Sequence, residues 1–286
     1  MAVRKAVIPA AGFGTRFLPV TRSVPKNMLP VLDRPSIHHT VEEAANAGIQ
    51  HIVFVLTHGQ ESIGHYFDRL PELEQALESR GEFGILQQMI DISEMAEVSY
   101  VYQKRQLGPG HAVLTARAAI GYEPFAVFFP DDLIFSDVPT IAGMIELFDE
   151  YEGSVIAVAE LAEETIPSKG IIDPRPVADR VFEVVGLVEK PRIEDAPSNL
   201  GIVGRYVLTP DIFDALESVQ AGAGGEIWLT DALRALLGSQ KVYAYQFPGM
   251  QFDVGNPLGL QMASIYAALQ KEAFSVQLRT WLKSVL

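Results

Sequence analysis

A short apolar run that ends in a loop of small residues most limits what this chain can fold into. Residues 5–9 form the run, which has the length and composition of a buried β-strand. Ala10, Ala11, Gly12 and Gly14 follow it at once. Small side chains let the backbone approach a ligand closely, and successive free N–H groups can surround phosphate oxygens. The sequence therefore predicts a strand and an anion-binding loop, and a helix that began soon afterwards would add the positive end of its dipole.

Two cations lie close to this loop in the sequence. Arg16 directly follows Thr15, and Lys26 lies in a Pro-Lys-Asn-Met-Leu-Pro stretch. Two positive side chains beside an open backbone favour a polyanion, most simply a nucleoside triphosphate. The loop lacks the third glycine of the dinucleotide fingerprint, and the chain contains no Walker A motif. For the glycines alone, a plain tight turn is the alternative.

Composition excludes several classes of protein. The chain has 286 residues, which is long enough for a sizeable core. Its net charge of −14 makes it too acidic for a broad nucleic-acid-binding face. It has no cysteine, so disulfides and thiolate metal sites are excluded. No apolar run is long enough to span a membrane, and the start lacks a signal-peptide pattern. We therefore expect a cytoplasmic protein.

Short apolar runs alternate with helical patterns in the first half of the chain. Residues 52–56 and 125–129 are almost wholly apolar, as expected for parallel strands covered on both faces, and 98–102 is a further strand. Residues 36–48 and 112–119 have helical spacing. This alternation predicts an α/β protein with a doubly wound sheet.

The pattern changes in the second half. Residues 69–97 read as a helical excursion, and from about 153 the chain becomes rich in predicted strands, at 154–158, 170–172, 184–188 and 201–208. We interpret these strands as additions to the same sheet. This predicts one domain over 1–257, with parts at about 1–150 and 151–257. Residues 258–286 form a helical tail that is apolar on one side, which either packs on its own body or contacts another subunit.

Polar residues follow the predicted strands where α/β sheets bind ligands. Gln103 and Gly108 follow the strand at 98–102; a carboxamide suits the edge of a base, and glycine leaves room for a flat ring. A surface turn before a helix is the alternative, and we expect His111 to cap or pack at that helix.

Carboxylates end two further apolar stretches. Asp131 and Asp132 follow the strand at 125–129, and Asp253 ends another apolar approach. Carboxylate oxygens suit a hard divalent cation. Successive strand residues point to opposite sides, so we expect only one of the first two to bind a metal. Spacing alone does not pair Asp131 with Asp253, and each suits a turn or a cap on its own.

Opposite charges are adjacent at Glu189 and Lys190, before Pro191. Because neighbouring strand residues face opposite ways, we expect these two charges not to neutralise each other. Lys190 suits a sugar phosphate, and Glu189 can accept hydrogen bonds from sugar hydroxyls. A solvated strand end is the alternative.

The strings Ala-Ala-Gly-x-Gly-Thr-Arg-x-Leu-Pro and Pro-Lys-x-Met-Leu-Pro resemble the start of the sugar-nucleotide pyrophosphorylases, and among these the bacterial uridylyl-transferring enzymes. The likeness runs from about residue 3 to 282. It implies a Rossmann-like, doubly wound mixed sheet (the nucleotide-diphospho-sugar transferase fold) with a β-rich sugar-binding portion. It also implies Mg²⁺, UTP and glucose 1-phosphate as ligands, no covalent intermediate, and a homodimer or homotetramer.

The resemblance also implies roles for individual residues. Arg16 and Lys26 would hold the leaving pyrophosphate, and Lys190 would orient the attacking phosphate. Asp131 and Asp253 would share one Mg²⁺. The nucleotide would contact Ala10, Ala11, Gly12, Gly14, Thr15, Asn27, Gln103 and Gly108, and the sugar phosphate would contact Gly170, Glu189, Lys190 and Asn199. In the stretch 224–231, Glu226 either supports the sugar site or belongs to a helix start capped by Thr230 and Asp231.

The chain departs from the family pattern at several positions. Asn27 stands where uridylyl-transferring members have Glu and thymidylyl-transferring relatives have Gln, so transfer of another nucleotide is an alternative. Lys169 replaces a common Tyr, Trp228 a usual Gln and Pro109 a usual Leu. Two readings of other classes are a nicotinamide-dependent oxidoreductase, disfavoured by the missing third glycine, and a non-catalytic sugar-nucleotide-binding protein.

Overall fold

A nine-stranded mixed sheet runs through the body of the protein. The structure, a computed structural model, describes residues 2–222 and 225–285. Gly224, in the stretch compared with the family above, and Leu286, the end of the predicted tail, lie outside the described residues.

The strands are β1 (Lys5–Pro9), β2 (Pro30–Val31), β3 (Arg34–Pro35), β4 (His51–Leu56), β5 (Glu97–Tyr102), β6 (Phe125–Phe128), β7 (Asp132–Phe135), β8 (Ser154–Glu160), β9 (Gly170–Ala178), β10 (Val181–Glu189), β11 (Leu200–Leu208), β12 (Val242–Gln246) and β13 (Met250–Asp253). The helices are α1 (Ser36–Asn46), α2 (Glu61–Phe67), α3 (Pro71–Ser79), α4 (Phe83–Glu94), α5 (Pro109–Thr115), α6 (Arg117–Ile120), α7 (Thr140–Tyr151), α8 (Ile212–Ser218), α9 (Leu229–Leu236), α10 (Pro257–Gln270) and α11 (Glu272–Val285).

The sheet has the order β5-β4-β1-β6-β11-β8-β12-β10-β9. The first four of these strands are parallel, in the part of the chain where the apolar runs predicted parallel strands. β11 runs antiparallel between β6 and β8, and β9 and β10 form an antiparallel hairpin at the edge. Strands from both sides of residue 150 thus belong to one sheet, and the predicted α/β, doubly wound mixed sheet is confirmed.

Both faces of the sheet are covered, because successive strand residues point to opposite sides. In β1, Val7 joins one core cluster, whereas Ala6 and Ile8 join the other. The first cluster includes residues of α5, α8 and α9, and the second includes residues of α1, α2 and α7. Burial of these apolar faces supplies most of the driving force for folding, and it keeps the two faces of the sheet away from ligands.

A buried ion pair joins the centre of the sheet to α1. Arg205 in β11 is fully buried, and its Nη2 lies 2.8 Å from Oε2 of Glu43. Its Nη1 also donates to the carbonyl oxygen of Phe129, at 3.3 Å. The guanidinium therefore fixes the turn that follows β6 and carries Asp131.

Two local details of the structure could not be read directly from the helical and strand patterns. The glycine loop is followed by three 3₁₀ turns, Thr15–Phe17, Val20–Arg22 and Lys26–Met28, and the next α-helix begins only at Ser36. Three prolines between residues 19 and 30 remove backbone donors, which prevents a continuous helix. The helix predicted at 112–119 begins at Pro109 instead, since proline suits the first helical position, and it is interrupted at Ala116.

The last part of the chain packs a hairpin and a helix against the glycine-loop region. β13 pairs with β7, and Leu260, Ala263 and Ala267 of α10 are buried in a small third cluster with Phe17. Helix α11 has no buried residue. Within the described residues, no helix is both long and apolar enough to cross a lipid bilayer.

Candidate active site

The glycine loop after β1 presents its backbone amides without internal partners. Side chains of Gln60, Gln106 and Asn27 donate to the carbonyl oxygens of Gly12, Ala11 and Ala10. No hydrogen bond from the backbone N–H groups of residues 11–14 occurs within the described part of the chain. With the carbonyls held by side chains and the amides free, the loop is suited to an anion.

Lys26 runs directly beneath this loop, which explains why a glycine is required at position 14. A Cβ on Gly14 would lie 2.8 Å from Cβ of Lys26, and one on Gly12 would lie 3.4 Å from its Cε. Gly14 also has φ of 65°, a conformation that favours glycine. Thr21 donates to the Gly14 carbonyl oxygen at 2.8 Å. The loop therefore brings a lysine and free amides to the same cavity.

A cavity of about 450 Å³ opens over the loop. Its lining includes Ala11, Gly12, Gly14, Thr15, Lys26, Gln103, Gly108, Asp131 and Glu226, so nine residues from distant parts of the chain meet there. Of the other residues predicted for the nucleotide, Ala10 is buried beneath the loop, and Asn27 is 1% exposed. Neither residue lines the cavity, and Asn27 Nδ2 donates to the Ala10 carbonyl oxygen at 3.4 Å.

Gln103 is fixed at the wall of this cavity. It is 4% exposed, and its Nε2 donates to the Gly108 carbonyl oxygen at 3.2 Å and to Nδ1 of His111 at 2.9 Å. Burial, and then Arg105, lowers the pKa of His111, which keeps the ring neutral and able to accept this bond. His111 thus packs at the start of α5, as predicted. Gly108 has φ of 92°, and a Cβ there would lie 2.8 Å from Cβ of Glu226.

Asp131 and Asp253 face the same small space, although 121 positions between them gave no reason to pair them. A Cβ on Gly255 would lie 3.0 Å from Oδ1 of Asp253 and 3.1 Å from Oδ2 of Asp131. The β7–β13 hairpin produces this approach, since Asp253 pairs with Asp132 and the Val254 amide donates to the Asp131 carbonyl at 2.7 Å.

Each of these carboxylates has a cation beside it. Lys26 Nζ forms a direct ion pair with Oδ2 of Asp131. Arg16 Nη1 lies 4.0 Å from Oδ2 of Asp253 and donates to the Gly255 carbonyl oxygen at 3.4 Å. The two carboxylates converge on a space that a single Cβ would fill. Such an arrangement suits a small hard cation, with phosphate oxygens and water completing its ligands. Among the described residues, no group of three or more His, Cys, Asp or Glu side chains is placed to hold a metal.

Asp132 takes partners different from those of Asp131, as expected for successive residues. It is 9% exposed, and its carboxylate accepts from Lys169 Nζ at 3.0 Å, Gln251 Nε2 at 2.6 Å and the Gly204 amide at 3.2 Å. Burial alone would lower the pKa of Lys169, but Asp132, and then Asp253 and Asp131, raise it above its usual value. Lys169 is therefore charged, and Asp132 is saturated with donors.

A second, smaller pocket of about 200 Å³ lies on the other side of this turn. Gly170, Glu189, Lys190, Trp228 and Thr230 are part of its lining. A Cβ on Gly170 would lie 3.1 Å from Oε2 of Glu189, so a larger residue would intrude on that carboxylate. Burial, and then Asp132 and Glu189, raises the pKa of Tyr206, another lining residue, so its hydroxyl keeps its proton.

The prediction that Glu189 and Lys190 do not neutralise each other was wrong. Lys190 Nζ lies 3.7 Å from Oε1 of Glu189. Strand β10 ends at Glu189, and Lys190 has φ of 47°, so strand alternation no longer applies to its side chain. The ammonium also lies 3.7 Å from the centre of the Trp228 ring.

The alternative of a helix capped by Thr230 and Asp231 was also wrong. Helix α9 begins after Trp228, with no capping side chain. Thr230 instead donates to Oε2 of Glu189 at 2.7 Å, and Asp231 pairs with Arg234. Glu226 lines the larger cavity.

Asn199 is absent from the lining of the small pocket. It is exposed, and its carbonyl oxygen accepts from the Leu161 amide at 2.9 Å.

Sequence reasoning missed several residues of the site. Tyr206, Gln251, Gln60 and Gln106 support the carboxylates, the pocket or the loop, but each is a single polar residue outside any local motif. No local pattern marks the three glutamines, because the groups that their side chains contact are distant in sequence.

The chain is similar to several known proteins over most of its length. A family model described as "Nucleotidyl transferase" matches residues 5–269. A protein of Staphylococcus saprophyticus named UTP–glucose-1-phosphate uridylyltransferase 2 is 48% identical over 99% of this chain and 98% of its own length. A solved UDP-glucose pyrophosphorylase complexed with UDP-glucose is 42% identical, with a TM-score of 0.86, over 94% of this chain and 100% of its own.

A second solved structure, a UTP-bound UGPase from Acinetobacter baumannii, covers 99% of this chain and 100% of its own, with 37% identity and a TM-score of 0.91. Identity at this level over nearly the full length goes beyond a shared fold. The chain therefore belongs to the nucleotidyl transferase family, and within it to the UTP–glucose-1-phosphate uridylyltransferases.

Proposed function

We propose that this protein transfers the uridylyl group of UTP to glucose 1-phosphate, giving UDP-glucose and pyrophosphate. One observation carries the proposal. The cavity over the glycine loop and the pocket beside Lys190 meet at Pro109 and Phe129, which line both. Asp131 lies on the nucleotide side of this junction and Asp132 on the other. Two phosphorylated substrates bound on either side would place their phosphates next to each other.

The reaction we propose is in-line attack by a phosphate oxygen of the sugar phosphate on the α-phosphorus of UTP. The free amides of residues 11–14 would bind triphosphate oxygens, and Arg16 and Lys26 would stabilise the charge that builds up on the leaving pyrophosphate. Lys190 would hold the sugar phosphate from the opposite side. Positioning and charge stabilisation are sufficient, so no covalent intermediate is required.

We propose Asp131 and Asp253 as the side chains that hold Mg²⁺. Bound there, the cation would neutralise charge on the reacting phosphates. Lys26 and Arg16, which are paired with these carboxylates, would then be released to contact the triphosphate. The long, flexible side chain of Lys26 would exchange its carboxylate partner for the leaving group.

We propose that Gln103 and Gly108 form the base site and that Asn27 affects this site indirectly, through the glycine loop. Asn27 is almost fully buried, and its hydrogen bond to the Ala10 carbonyl oxygen supports the loop. In this arrangement, the presence of Asn27 in place of Glu or Gln affects the geometry of the loop more than it affects direct contacts with the base. We therefore expect UTP to be preferred, with dTTP as the nucleotide that tests this preference.

We further propose a cytoplasmic homo-oligomer, a dimer or tetramer, assembled through the tail. Helices α10 and α11 expose apolar side chains that no other part of the described chain covers, namely Leu258, Met262, Phe274 and Val276. Light scattering coupled to size-exclusion chromatography tests this. A Val276→Asp variant, altered at a side chain that is 73% exposed, is expected to lower the measured mass. A wild-type monomer would contradict the proposal.

The function itself is tested by pyrophosphate release with Mg²⁺ and glucose 1-phosphate, offering UTP and dTTP in parallel. Release with UTP supports the proposal, and an Asp131→Asn variant is expected to lose it. Comparable or faster release with dTTP would change the nucleotide but keep the reaction. Binding of UDP-glucose without any release would favour a non-catalytic binding protein instead.

A further inference from the structure

Trp228 lies against a lysine of the small pocket. Lys190 Nζ is 3.7 Å from the centre of the indole ring, within the range of a cation–π contact. Both side chains line the pocket, and the Lys190 side chain is 42% exposed. An ammonium has three N–H donors, so one that faces a ring can still offer others to a phosphate. The contact therefore restrains Lys190 without using up its charge.

The backbone holds both partners in place. Lys190 has φ of 47°, and its amide donates to the Lys169 carbonyl at 3.0 Å. Ile227, next to Trp228, makes two backbone hydrogen bonds of 2.8 Å. Its amide donates to the Leu107 carbonyl oxygen, and its carbonyl oxygen accepts from the Gly110 amide. These bonds connect the backbone next to the tryptophan to the loop of the nucleotide cavity, so the ring is attached to a segment that is held between both sites.

Removing the ring would leave Lys190 with one weak restraint. Among residues 2–222 and 225–285, the charged side chain that would still pair with it is Glu189, whose Oε1 is 3.7 Å away and whose Oε2 accepts from Thr230. A long exposed side chain loses rotamer entropy when it binds a phosphate, and a side chain already restrained loses less. The ring thus reduces the entropic cost of binding.

We propose that Trp228 is a positioning residue that holds the Lys190 ammonium ready for the phosphate of the sugar phosphate. This deepens the proposed function and rests on it for the identity of the ligand. Trp228→Leu, which keeps apolar bulk but removes the π face, is expected to raise the KM for glucose 1-phosphate about 3–5-fold. The kcat is expected to change less than twofold, and Trp228→Phe is expected to fall between Leu and wild type.

A second readout needs no turnover. The chain has two tryptophans, and the other, Trp281, is 56% exposed on α11. In a Trp281→Phe background, all indole emission comes from Trp228. Titration with glucose 1-phosphate in the absence of UTP then gives the Kd of the sugar phosphate. Comparison of the emission with that of Lys190→Met reports whether the ammonium lies over the ring in the free protein. We expect Lys190→Met to shift the emission and Trp228→Leu, measured by calorimetry, to weaken the Kd 3–5-fold.

Three results would overturn the proposal. One is emission unchanged by Lys190→Met, another is a KM and Kd of Trp228→Leu equal to wild type, and the third is a loss in kcat alone. Failure of the proposed function has a different signature, which is no pyrophosphate release and no binding of glucose 1-phosphate. In that case inorganic phosphate is the probe: a Lys190-dependent emission change supports positioning for another phosphate ligand, and no change overturns it.

Discussion

Lys169 Nζ lies 3.0 Å from Oδ1 of Asp132, which joins the start of β9 to the turn between the two pockets. The lysine side chain is 23% exposed and the aspartate 13%. Lys169 stands where the resemblance to the family leads us to expect a Tyr, and a neutral Tyr side chain would not form this ion pair. Lys169 is one of three groups that donate hydrogen bonds to the Asp132 carboxylate.

Replacing Lys169 with Met should therefore destabilise the fold. A nearly buried carboxylate would lose a charged donor, which costs about 1.5–3 kcal/mol. Urea unfolding measures the loss. The matched control is Lys271→Met, which removes a 2.6 Å pair with Asp33 whose side chains are 43% and 50% exposed. Exposed pairs contribute at most about 1 kcal/mol, so equal losses in the two variants would contradict this explanation.

Lys26→Met should mainly affect turnover. Its ammonium is the cation placed between the loop and Asp131, and removing one such group lowers kcat by about 10²–10³-fold. Steady-state pyrophosphate release measures the effect. Arg80→Met, which removes an exposed cation after α3, serves as the control and should retain wild-type rates. A kcat within a factor of a few of wild type for Lys26→Met would argue against its role at the leaving group.

Gly255→Ala should close the space between the two predicted metal ligands. The new Cβ would lie 3.0 Å and 3.1 Å from their carboxylate oxygens, tighter than ordinary contacts. A displacement of these groups by a fraction of an ångström should lower activity about 10²-fold. Calorimetric titration with Mg²⁺ should show weaker binding as well. Gly84→Ala, where the Cβ meets nothing within 4 Å, is the control for a harmless methyl group. Normal Mg²⁺ binding by Gly255→Ala would contradict the assignment.

His38 should make stability depend on pH. It is 2% exposed, and Arg34 Nη1 lies 3.0 Å from its Nε2. A guanidinium only donates, so Nε2 accepts and Nδ1 carries the proton towards the Tyr66 oxygen, 3.0 Å away. Burial, and then Arg34, lowers the pKa of His38 from 6.5 to about 4.

The sign of this effect follows from proton uptake. Between pH 6.5 and 4 the unfolded chain binds the proton more readily than the folded protein, so the free energy of unfolding falls as the pH falls. His38→Gln removes this contribution. The stability difference between wild type and variant should shrink by about 2 kcal/mol from pH 7 to pH 5. Urea unfolding at both pH values measures it, and a constant difference would exclude the effect.

Local patterns were sufficient for much of the fold. Apolar runs such as 52–56 and 125–129 predicted strands because a parallel strand buried on both faces needs apolar residues at every position. The small residues after β1 predicted an open loop for the same local reason: a backbone without bulky side chains can expose its amides. The absence of a helix directly after this loop in the described residues has a local cause too, since the prolines that prevent it are visible in the sequence.

By itself, the sequence determined the strands, the open loop and the kinds of charged group that follow each strand, because these depend on neighbouring residues and their periodicity. Tertiary structure alone decided which of those groups meet. The β7–β13 hairpin brings Asp253 to Asp131, and the turn at Lys190 brings its ammonium to Trp228. Such contacts join residues far apart in the chain, and strand pairing and helix packing, which no local periodicity encodes, set their distances.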